Sequence, residues 1–123
     1  MQASIQLVDA TVSEWSINLT DATTGVSFQN SFFYASSQLS AEWIVERPTV
    51  NRVIGTLANF GSVTFTDCQA TVGSASGGIS SFPAQEIVMY SSTSPGVSSV
   101  QLTDVSGLTI DGAGFTISYL TAS

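Results

Sequence analysis

Ser40-Ala41-Glu42-Trp43-Ile44-Val45-Glu46 is the stretch that decides how this chain is read. Its residues are strand formers, and side chains along a strand alternate between two faces. Glu42, Ile44 and Glu46 therefore share one face, while Trp43 and Val45 point to the other. Only nine acids are spread through 123 residues, so two of them four apart in so apolar a segment call for a reason. A carboxylate is expensive to bury unless it is hydrogen-bonded or neutral, and chains accept that expense mainly where chemistry is done.

Outward from this stretch the period stays that of strands. Ile5 and Leu7 alternate with polar neighbours, as do Trp15, Ile17 and Leu19. Ser27 to Tyr34, Ser62 to Ala70, Glu86 to Tyr90, Ser98 to Leu102 and Phe115 to Leu120 complete the expected strands. Asp21-Ala22-Thr23-Thr24-Gly25 reads as a hairpin loop with glycine where positive φ is cheap, and Asp111-Gly112-Ala113-Gly114 as a second turn. Gly73 to Gly78 reads as a long surface loop from its Gly/Ser content, and Val53 to Asn59 as a short turn. Many short strands separated by Gly, Ser and Asn predict an all-β fold, an antiparallel β-sandwich, with residues 1–123 as a single domain.

Composition narrows the chemistry. The net charge is −7, histidine is absent, and Arg47 and Arg52 are the only cations. Nucleic acid is excluded as a partner because its recognition draws on clustered Lys and Arg, and anionic membranes are disfavoured for the same reason. Without histidine, and with Cys68 alone, neither a metal site nor a cofactor is predicted. Cys68 reads as a small apolar filler in a strand. Catalysis, if any, rests on carboxylates, amides and hydroxyls. Met1 runs straight into strand-like residues, so no signal peptide is read at this end, and no apolar run is long enough to span a bilayer.

The order of several blocks resembles the glutamic peptidases, the eqolisin family of secreted fungal and bacterial acid endopeptidases. The resemblance rests on Ala41 to Glu46, on the hairpin Ile17 to Gly25, on Leu57 to Phe65 and on the closing strand Phe115 to Tyr119. It implies a sandwich of the concanavalin A-like lectin and glucanase type, a secreted location, a polypeptide substrate and an acidic working pH. It also implies that Glu42 is the general base acting on a water molecule, assisted by a glutamine amide from the other half of the fold. An amide donor of that kind is indifferent to pH. None of the glutamines here lies in a context like the family's glutamine motif, and Met1 aligns near the middle of the fold. The chain thus corresponds to a C-terminal half, expected to self-associate or to pair with a missing N-terminal half.

Glu46 and Trp43 are the weaker site candidates, Glu46 as a rim or substrate-binding acid and Trp43 as a core or substrate contact. Two other readings compete. A glycoside hydrolase would use Glu42 and Glu46, whose Cα atoms lie roughly 13 Å apart along an extended strand; long side chains could close that to the ~5–5.5 Å of retaining enzymes. The residue between them is Ile44, where glucanases of this type place an acid. A non-catalytic, lectin-like or structural sandwich is the third reading.

Overall fold

The structure, a computed structural model, describes residues 1–91, 96 and 98–122. The chain divides into two compact units, one covering Met1–Leu39 and the other beginning at Ser40. All strand pairs among the described residues are antiparallel.

The first unit is a three-stranded meander of β1 (Gln2–Asp9), β2 (Glu14–Thr20) and β3 (Ser27–Phe33), in that order across the sheet. Register turns the sequence alternation into two chemically distinct faces. One carries the cross-strand rows Ala3–Leu19–Phe28, Ile5–Ile17–Asn30 and Leu7–Trp15–Phe32. The opposite face carries Ser4–Asn18–Gln29 and Gln6–Ser16–Ser31, where Asn18 Nδ2 donates to the hydroxyls of Ser4 and Ser16, each at 3.3 Å. Aspartates close both turns. Asp9 Oδ1 accepts from the Thr11 amide at 2.8 Å, and Asp21 Oδ1 accepts from the Thr23 amide at the same distance. Gly25 supplies the positive φ of 75° that lets the second loop return into β3.

In the second unit, β4 (Thr49–Val50) and β5 (Val53–Ile54) form a hairpin joined by Asn51-Arg52. Both joining residues have positive φ, 51° and 67°, as a two-residue type I′ turn requires. Further on come β6 (Ser62–Phe65), β7 (Gln69–Val72), β8 (Ala75–Gly78), a short 3-10 turn (Ile79–Ser81), β9 (Thr103–Val105) and β10 (Phe115–Tyr119). β10 is central in a three-stranded sheet between β6 and β9, and β7 pairs with β8. Phe65 and Phe115, register partners, stack with ring centres 5.0 Å apart. Leu57, Cys68, Leu102, Ala113 and Ile117 form the buried apolar core of this unit.

Several strand expectations need correction. The glycine- and serine-rich stretch from Gly73 to Gly78 is not a long loop. Gly73 turns the chain at φ 62°, and Ala75 to Gly78 pair back onto β7, helped by a 2.8 Å hydroxyl contact between Thr71 and Ser76. Backbone pairing needs no particular side chain, so composition misleads there. The run Ser62 to Ala70 is interrupted at Asp67, whose φ of 53° ends one strand before the next begins. Glu86 to Tyr90 and Ser98 to Leu102 form no regular ladder, pairing through the isolated bridge Tyr90–Gln101 and its flanking hydrogen bond from the Leu102 amide to the Met89 carbonyl, and the regular strand lies just beyond, at Thr103. Val53 and Ile54 belong to β5 rather than to a turn.

Candidate active site

Residues 40–48 contain no regular strand, which corrects the expectation of a laddered strand there. The alternation nevertheless survives. Glu42, Ile44 and Glu46 are exposed, whereas Trp43, Val45 and Arg47 are half-buried. Among the described residues no backbone hydrogen bond engages Ala41 to Glu46. The segment alternates in exposure as a strand does but has no backbone ladder among the described residues.

Glu42 thus presents its carboxylate on the open face, without a hydrogen-bond partner among the described residues. Glu46 follows two same-face positions later, at the edge of an open concavity of about 520 Å³. Arg47, Pro48, Thr49, Ile54 and Met89 complete its lining. Each wall has a local cause. The type I′ turn folds Ile54 back beside Thr49, and the Gly55 amide donates to the Pro48 carbonyl at 2.8 Å, extending the hairpin. Met89 is fixed from both sides, its amide donating to Thr103 Oγ1 at 3.0 Å and its carbonyl accepting from the Leu102 amide at 2.7 Å.

Arg47 joins these pieces. Its Nη2 donates to the carbonyls of Tyr90 and Ser91 at 3.2 and 3.4 Å, across more than forty residues of sequence. A guanidinium offers several donors in a rigid fork, so one side chain can grip successive carbonyls. Sequence reasoning missed Arg47 as a brace, and with it the contribution of Ile54 and Met89. The available signal was the pair of β-forming dipeptides around Asn51-Arg52, but a two-residue turn is read most readily when glycine is present.

Trp43 is half-buried, in contrast to the exposed Glu42 and Glu46. Cys68 is buried at 3% exposure; burial pushes its thiol pKa up and the neighbouring Asp67 charge pushes it further. A thiol held protonated is a filler, as the sequence suggested, and not a nucleophile. Among the described residues no group of three or more His, Cys, Asp or Glu is placed to hold a metal ion. No helix among them is long and apolar enough to cross a membrane.

The geometry defines a class: an all-β, antiparallel chain bearing two exposed carboxylates on one segment that has no strand pairing among the described residues. The family model described as Peptidase A4 family matches residues 1–112, and the chain belongs to that family. Among solved structures it is similar to aspergilloglutamic peptidase from Aspergillus niger, with 27% sequence identity and a TM-score of 0.69. That match covers 97% of this chain and 65% of the other, so the chain spans less than two thirds of the fungal protein. Its antiparallel sheets match the sandwich-type fold of that neighbour. A comparison with curated proteins found no match. The glycosidase alternative draws no support from the matches found.

Proposed function

We propose that this chain is the C-terminal, glutamate-bearing part of an acid endopeptidase and that Glu42 is its general base. One observation carries the reading: the Peptidase A4 family match spans Glu42, which lies on a segment whose exposure alternates like a strand but which has no ladder among the described residues. Such a segment can accept an extended polypeptide beside it, because its backbone donors and acceptors engage no other backbone group among the described residues. The chemistry needs no histidine. The Glu42 carboxylate removes a proton from water as the water oxygen attacks the peptide carbonyl, and the protonated acid then returns that proton to the leaving amine. The oxygen of the tetrahedral intermediate requires a donor, which we assign to polypeptide equivalent to the part of the fungal neighbour that this chain does not match. On this reading residues 1–123 act as one domain completed by pairing, with a polypeptide substrate and a secreted, acidic setting.

The test is digestion of denatured casein at acidic pH, with and without the unmatched part of the Aspergillus niger relative. Hydrolysis is expected once the site is complete, and Glu42→Gln is expected to remove it by at least about a hundredfold while leaving the fold unchanged. Cleavage retained by that variant would falsify the assignment. A second reading, a non-catalytic sandwich, is favoured by the lack of any partner holding the Glu42 carboxylate among the described residues. It prevails if neither mixture cleaves.

A further inference from the structure

We propose that the concavity beside Glu46 is a binding site for a cationic side chain, lysine or arginine, of an extended peptide. The proposal rests on the peptidase reading only in taking the ligand to be a peptide; binding at Glu46 does not require Glu42 to act on water. Four observations support it. Glu46 lines the concavity and is exposed, so its carboxylate can meet a charge without being buried. Pro48, Ile54 and Met89 line the same concavity with apolar surface, which suits the methylene stem of a long cationic residue. Arg47, the cation in the lining, has its guanidinium on the carbonyls of Tyr90 and Ser91. Nine acids against two basic residues give the chain a negative field that draws cations toward it.

Spacing links the site to the open backbone. Side chains of a peptide laid in extended form along residues 41–46 recur on one face about every 6.6 Å. A residue whose side chain reaches Glu46 is then two same-face positions from the one beside Glu42. The site would select substrates by a charge some 13 Å from the bond beside Glu42.

The experiment uses the full chain and two otherwise identical Ser/Gly peptides, each with a single central lysine, free in one and acetylated in the other. Acetylation keeps the stem and removes the charge. Titration calorimetry is expected to show the free-lysine peptide binding up to about fivefold tighter, as an exposed ion pair allows. Glu46→Gln should erase that ratio and leave the acetylated peptide unaffected. Glu86→Gln, which removes the same charge from an exposed position outside the concavity, should preserve most of it. Glu42→Gln should also preserve it, so loss of hydrolysis in that variant and loss of charge selection in Glu46→Gln are separate failures. Equal binding of the two peptides by the native chain, no binding of either, or a ratio reduced equally by Glu86→Gln would overturn the proposal.

Discussion

The β1–β3 sheet and the segment at residues 40–48 are written in the same pattern, yet only one of them is a sheet. Ile5, Leu7, Trp15, Ile17 and Leu19 alternate with polar residues just as Trp43 and Val45 alternate with Glu42, Ile44 and Glu46. In the sheet every position of β2 has a register partner on at least one side. In the other segment the alternation of exposure persists without a ladder among the described residues. Period two therefore specifies which residues share a face. It does not specify that a neighbouring strand is present, because that neighbour can lie elsewhere in sequence or outside the chain.

Proline is the sharpest way to break this comparison. Ile17 sits in the central strand of its sheet, between Ile5 and Asn30, so Ile17→Pro removes a ladder donor and forces the strand apart. A loss of ~3 kcal/mol or more is expected from the urea midpoint. Ile44 is half exposed and its amide has no backbone acceptor among the described residues. Ile44→Pro is expected to cost under about 1 kcal/mol. Equal losses would mean that the open segment is paired after all.

A gentler change sharpens the same contrast from the turn side. Arg52 holds a φ of 67° at the second position of a type I′ turn, where glycine fits without strain. Arg52→Gly is expected to stabilise the β4–β5 hairpin by about 0.5–1 kcal/mol, read as a rise in melting temperature. A fall would show that Arg52 makes contacts that outweigh its backbone strain.

The smallest effect concerns acid. Asp9, Asp21 and Asp111 each have a carboxyl pKa below the ordinary value, chiefly because a threonine hydroxyl donates to it: Thr11, Thr24 and Thr109 respectively. Nearby backbone amides add to the effect, as at Ala113, which donates to Asp111 Oδ1 at 3.1 Å. A pKa lowered by folding contributes stability above the unfolded value of ~3.9, and that contribution is lost as pH falls through the folded value. Melting temperature should therefore decline modestly below about pH 4, and Asp21→Asn should flatten part of that decline. An unchanged slope in Asp21→Asn would show that the turn carboxylate is not linked to stability. An acidic, charge-poor chain is thus not indifferent to acid, since its turns are tied by ionised aspartates.

How much was legible follows from which forces are local. The Asp21 to Gly25 hairpin could be read because a short acid and a glycine act within their own turn. The faces of β1 and β2 could be read because burial follows side-chain period. The β7–β8 hairpin was hidden because Gly73 to Gly78 carries little side-chain signal, while its stabilisation comes from backbone pairing. The alternation that leaves Glu42 and Glu46 exposed and Trp43 and Val45 half-buried was legible from the period of the sequence. Arg47 was not legible as a brace, because its acceptors at Tyr90 and Ser91 are brought to it by folding alone.

Hydrogen exchange at the amides of Trp43 to Glu46, measured beside those of β2, tests most directly whether the glutamate segment is an unfinished strand. The account predicts near-unprotected exchange at 43–46 in the chain alone, strong protection at Ile17 and Asn18, and new protection at 43–46 when the unmatched part of the fungal relative is added. Protection at 43–46 already equal to that of β2, or none gained on that addition, would contradict it.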